Sequence, residues 1–170
     1  MHRVDGALSS DGTRLAIWTE AKGNSDAQKK ITALNAKLLF AALKDGNIDA
    51  KKDSRVLPKG KFFVSSRIIS SYSYPQDSWQ GMELSNRTKA GYNWVYLTSG
   101  QPGDTTKIVR APWNFSSPAP ETLNVSIPGM GAHETEAPQL YGDNVYFGIE
   151  EELSNGSHNH YVYSISKSEF

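Results

Sequence analysis

The chain has 170 residues, enough for one domain with a real core or for a piece of a larger protein. Its 18 Lys and Arg balance 18 Asp and Glu, which argues against a basic nucleic-acid-binding face and against long-range electrostatic steering. Cysteine is absent, so disulfide frames and thiolate metal sites are excluded. No apolar run approaches the roughly eighteen residues of a spanning helix, and Met1 to Thr13 carries no apolar segment of a cleavable signal peptide.

The elements read in order as follows. Val4 to Ser9 opens a hairpin whose turn, Ser10-Asp11-Gly12-Thr13, supplies the positive φ that a tight turn needs. Arg14 to Glu20 alternates as a strand, and Lys22 to Lys30 is a polar loop. Ile31 to Leu34 reads as a short strand and Asn35 to Asp45 as a helical insertion, with Asn35 as N-cap and Gly46 as C-cap; one helix from Ser25 is the competing reading. A charged connection, Asn47 to Pro58, leads to a strand over Phe62 to Ser71. Trp79 to Leu84, Tyr92 to Thr98, Thr106 to Ala111 and Leu123 to Ile127 follow as strands, with Pro112 to Pro120 as loop. The last group is Glu136 to Leu140, Asn144 to Glu150 and His160 to Ser166, with turns at Tyr141-Gly142-Asp143 and over Glu151 to Asn159.

A theme recurs through this series: His2-Arg-Val-Asp5-Gly6, Asp77-Ser-Trp79-Gln80-Gly81 and His133-Glu-Thr-Glu136-Ala137. In each, a polar residue is followed three positions later by an acid or amide and then by a small residue. A sheet unit recurring at roughly fifty residues or more is the mark of radial repetition. The expected fold is therefore all-β and β-propeller-like: a single partial propeller of about three antiparallel blades, near 1–71, 72–127 and 128–170, with a short helical insertion near 35–45. The third blade lacks an evident fourth strand. Open edges call for a covering partner, so a homodimer or a missing N-terminal half is expected.

The ordered segments also resemble the C-terminal half of the helveticin J family of large heat-labile bacteriocins. The resemblance runs through Ala7-Leu-Ser-Ser-Asp11, Thr13-Arg-Leu-Ala-Ile17, the Leu-rich segment from Leu34 to Asn47, and Trp79-Gln80-Gly81. It continues through Val95-Tyr96, Lys107-Ile108-Val109-Arg110, Pro112-Trp113 and Ile127-Pro128-Gly129, and then His133 and Glu136. Trp79, Met82 and Glu83 depart from the family, and the Arg87 to Gly91 turn is longer. The resemblance implies a propeller-like fold, secretion, and an antibacterial role at the cell envelope. It brings no catalytic residues.

On the inner strands, His2, Asp5, Asp77, Gln80, His133 and Glu136 form an expected ligand-binding set, with Trp79 as a surface on which a sugar ring stacks. The competing readings are hydrated channel residues and, for the tryptophan, packing between blades. No metal, cofactor or catalytic residue is assigned, and the expected partner is a cell-envelope glycan or surface component. His158-Asn-His160 has the look of a metal pair but reads as a solvated hairpin, and the Glu150 run as a solvated strand end. Alternation puts Glu134 and Glu136 on one face about 7 Å apart, inside the inverting-glycosidase range, which keeps an envelope-polymer hydrolase with His133 as the alternative function.

Overall fold

The computed structural model describes residues 3–20, 29–45, 55, 62–68, 79–103 and 105–170. Within them the chain is mostly β. Eleven strands form three antiparallel sheets, each a meander in chain order. The first sheet is β1 (Arg3–Leu8), β2 (Arg14–Glu20), β3 (Lys29–Asn35) and β4 (Phe63–Ile68). The second is β5 (Trp79–Leu84), β6 (Trp94–Ser99), β7 (Thr106–Pro112) and β8 (Glu121–Val125). The third has three strands, β9 (Ala132–Tyr141), β10 (Asn144–Glu152) and β11 (His158–Ser166). One helix, α1 (Ala36–Lys44), follows β3 directly. The fold divides into two compact units, Met1–Ser70 with Leu84–Asn93, and Ser71–Glu83 with Trp94–Phe170.

In the first unit the sequence chemistry acts locally. Asp11 holds the β1–β2 turn: its Oδ1 accepts from the Ser9 hydroxyl at 2.7 Å, the Thr13 amide at 3.0 Å and the Thr13 hydroxyl at 2.8 Å. Those donors, the Ser9 hydroxyl foremost, hold its carboxyl below the ordinary value. Gly12 takes the positive φ of 66° that the turn requires. Alternation on β2 buries Ala16 and Trp18, which face Ala33 and Ile31 across the β2–β3 register. Asn35 caps α1 as expected, its Oδ1 accepting from the Leu38 amide at 3.1 Å. The expected Gly46 cap and the Lys22 to Lys30 and Asn47 to Pro58 segments fall wholly or mostly outside the described residues.

In the second unit β6 and β7 are buried on both faces, because apolar residues there are nearly continuous. Ile108 on β7 packs with Phe147 and Ile149 of β10, flanked by Val125, Ile127, Met130, Tyr163, Ile165 and Phe170. Arg110 fastens the end of the chain to this core. Its guanidinium donates to the Glu121 carboxylate through Nε at 2.7 Å and through Nη2. It also donates to the backbone oxygens of Lys167 at 3.1 Å and Phe170 at 2.9 Å. The same group lies 4.6 Å from the Trp94 ring centroid and 5.1 Å from that of Phe170. Phe170 in turn meets Tyr96 edge-on at 5.7 Å.

In two of the three themes the small final residue acquires a reason here. A Cβ on Gly81 would stand 2.7 Å from the Ala137 Cα and 2.9 Å from its Cβ, so β5 and β9 approach through two small residues. Gly6 has no such constraint, its nearest neighbour being the Ala16 carbonyl at 3.5 Å. Gly81→Ala is therefore expected to lower stability by about 2 kcal/mol through overpacking, with Gly6→Ala near neutral, as read by urea unfolding. By the same measurement Arg110→Ala lowers stability by about 3 kcal/mol, since it strands Glu121 and two backbone oxygens. Arg110→Lys recovers little of it, because an ammonium cannot reproduce the planar fork.

Candidate functional site

The third sheet turns two different faces to its surroundings. Val145, Phe147 and Ile149 of β10 enter the core; Tyr146, Gly148, Glu150 and Glu152 alternate onto the opposite face. The register sets Glu150 opposite Glu134 on one side and His160 on the other, and Glu152 opposite His158. A bulge interrupts β9. Thr135 pairs with Ile149 and Pro138 with Phe147, so Glu136 and Ala137 together face Gly148. The missing side chain at 148 makes room, since a Cβ there would lie 2.9 Å from that of Glu136. The bulge also keeps Thr135 and Pro138 both on the core side, at 0% exposure for Thr135.

Glu134, Glu136 and Glu150 converge, each offering one carboxylate oxygen within 4.8 Å of the others, all half-buried. The Gln80 amide of β5 reaches into the group, donating to Glu134 Oε2 at 2.9 Å and to the Gly100 carbonyl at 3.1 Å. Two imidazoles flank it from β11. His158 Nδ1 lies 2.8 Å from Glu150 Oε1, and His160 Nδ1 lies 3.6 Å from Oε2. Burial, with the charges of Glu136 and Glu150, pushes the Glu134 carboxyl above its ordinary value. Glu136 is pushed up by burial and by Glu150. Among the described residues, three carboxyls are thus gathered on one half-buried spot, with two imidazoles and one amide beside them.

The expected ligand set is distributed unevenly. Gln80 and Glu136 come to one site, with Glu134 between them. His133 does not point there: it sits on the other face of β9, donates from Nδ1 to the Gly131 carbonyl at 2.8 Å, and has a buried Nε2. Its charge acts on Glu151 rather than on Glu134 or Glu136. Asp5 lies on β1, in the other compact unit, opposite Trp18 in the register. His2 and Asp77 fall outside the described residues, as does the side chain of Trp79, which opens β5. Glu150, His158 and His160, which read from sequence as a solvated strand end and hairpin, lie beside Glu134 and Glu136. Read from sequence, β10 ends at Glu150 and β11 begins at His160, whereas the strands run to Glu152 and from His158. Pairing the two as one hairpin would have placed His160 beside Glu150. The carboxylate oxygens of Glu134 and Glu136 lie within 4.8 Å, closer than the roughly 7 Å of flat alternation between the side-chain origins.

No protein-family model, curated protein or solved structure matches this chain.

The raised carboxyls have a measurable consequence. A carboxyl whose folded pKa exceeds its unfolded one contributes stability below about the ordinary value of 4.5, and that contribution is lost as pH rises through the folded value. Glu136→Gln is therefore expected to stabilise the protein at neutral pH by about 0.5 kcal/mol, the scale of a like-charge pair across strands. The gain should vanish at acid pH. Thermal melts of both proteins across that range check the sign.

Proposed function

We propose that this chain is a non-enzymatic binding protein, a partial β-propeller of the helveticin-like bacteriocin kind, that recognises a glycan of the bacterial cell envelope. The observation that carries the reading is the convergence of the Gln80 amide with the carboxylates of Glu134, Glu136 and Glu150 on a half-exposed sheet face. Carboxylates and amides held rigidly by strands are what sugar hydroxyls require, each acid accepting from two donors and the amide fixing orientation. Trp79, adjacent to Gln80 in sequence, is assigned the stacking surface. The propeller reading draws support from the three successive meanders and from the approach of the first strands of two of them, through Gly81 and Ala137. Secretion and a target-cell surface as partner follow from the family resemblance.

A second reading, hydrolysis of an envelope polymer, is favoured by one observation: two carboxyls pushed toward retaining a proton, as a general acid must. The crowding of all three carboxylates weighs against it. An inverting mechanism keeps its two carboxyls about 6.5–9.5 Å apart to admit water, and here the oxygens gather within 4.8 Å. The exposed edge strand β11 suits assembly with a further strand, from a second copy or from a preceding half of a longer chain.

The test is retention of the full chain on purified cell walls and on a glycan array. Binding is expected, weakened at least tenfold by Glu134→Ala and by Trp79→Ala. Absence of binding to every envelope fraction overturns the proposal. Release of reducing ends from the same walls, abolished by Glu136→Gln, would replace it with the hydrolase.

A further inference from the structure

The carboxylates at the junction of β9 and β10 are joined by ligands of another kind. His158 and His160 come from a separate strand, alternate onto the same face, and stand with Nδ1 atoms 2.8 and 3.6 Å from the two oxygens of Glu150. Glu134 and Glu136 alternate onto one face of β9, and the missing side chain of Gly148 leaves room for the second of them. We propose that Glu134, Glu136, Glu150, His158 and His160 form a binding site for a first-row divalent transition cation such as Zn²⁺ or Mn²⁺.

Three physical arguments support the assignment. First, the donor set is mixed. Carboxylates alone suit Mg²⁺ and Ca²⁺, whereas adding imidazole shifts preference toward Mn²⁺ and Zn²⁺. Second, the oxygens need only a small adjustment to share an ion. Donors at about 2.0–2.2 Å from a common centre can lie no more than about 4.4 Å apart, and the three carboxylates are already within 4.8 Å. Third, the outer contacts are of the kind that orient ligands. The Gln80 amide holds one oxygen of Glu134 while being anchored itself on the Gly100 carbonyl. The ligands sit on paired strands rather than on a loop, so little order has to be gained on binding. Each imidazole needs only to turn its Nδ1 from Glu150 to the ion, or to use Nε2.

This inference shares the carboxylates of the glycan reading but does not depend on it, and its test uses no glycan. The full chain, stripped with a chelator, is titrated calorimetrically with Zn²⁺ at neutral pH, and separately with Mg²⁺. One Zn²⁺ per chain is expected, with Mg²⁺ binding at least tenfold weaker. Glu136→Gln and the double variant His158→Ala/His160→Ala should each lower Zn²⁺ affinity at least tenfold. Thermal melts of both variants without metal show whether each is folded, so that a loss of binding is not mistaken for unfolding. Co²⁺ in place of Zn²⁺ gives an independent readout, visible absorption bands that disappear in both variants. Failure to bind Zn²⁺ overturns the proposal. So does Zn²⁺ binding that survives Glu136→Gln, which would mark a pair of surface histidines alone. Binding indifferent to the histidine variant overturns it as well, since it would leave only an acidic cluster.

Discussion

Much of the second unit hangs on the guanidinium of Arg110. A planar cation held between two aromatic faces, while its edges donate to one carboxylate and two backbone oxygens, uses nearly every interaction that arginine has. It links β7 to β8 through Glu121, and β7 to the segment after β11 through Lys167 and Phe170. The side chain is only 14% exposed, so these bonds are made where water competes weakly. With Phe170 held there, Tyr96 and the apolar residues of β10 and β11 have a fixed partner to pack against. The candidate site lies on the opposite face of that same third sheet, and its strands are only as well placed as the core behind them.

The site itself rests on a conflict the fold tolerates. Like charges facing each other across a β ladder are unfavourable, yet Glu134 and Glu150 are paired directly and Glu136, two residues on, shares the face opposite Gly148. Core packing supplies the compensation: Ile149, Phe147 and Thr135 behind the acids are almost wholly buried. Places where local chemistry opposes stability while the scaffold holds firm are where function is to be sought.

Much of this was legible in the residues. Asp11-Gly12 marked its hairpin and Asn35 its cap, because turn and cap chemistry is local. The strand series followed because alternation survives wherever one face is buried. Two residues of the recurring theme, Gln80 and Glu136, both come beside Glu134, and in two of its three occurrences the small residue reflects the approach of Gly81 to Ala137. What escaped was non-local. Whether His158 and His160 meet Glu150 depends on hairpin register, and Glu150 to Asn159 is too polar to declare strands by periodicity. His133 was assigned to the site by analogy of spacing, but inside a strand its parity places it on the other face from Glu134 and Glu136.

The bulge in β9 also bears on how such a face could come and go. Two residues stand there against the single Gly148, so the count of residues on the strand, rather than their identity, decides which side chains look outward. Removing one of Glu136 or Ala137 would leave the remaining pairings of the ladder available. Deleting Glu136 would take one acid from that face, whereas deleting Ala137 would leave Glu136 opposite Gly148 and on the same face as Glu134. The make-up of the face can thus be altered through a one-codon change in length, while the core behind it keeps its composition.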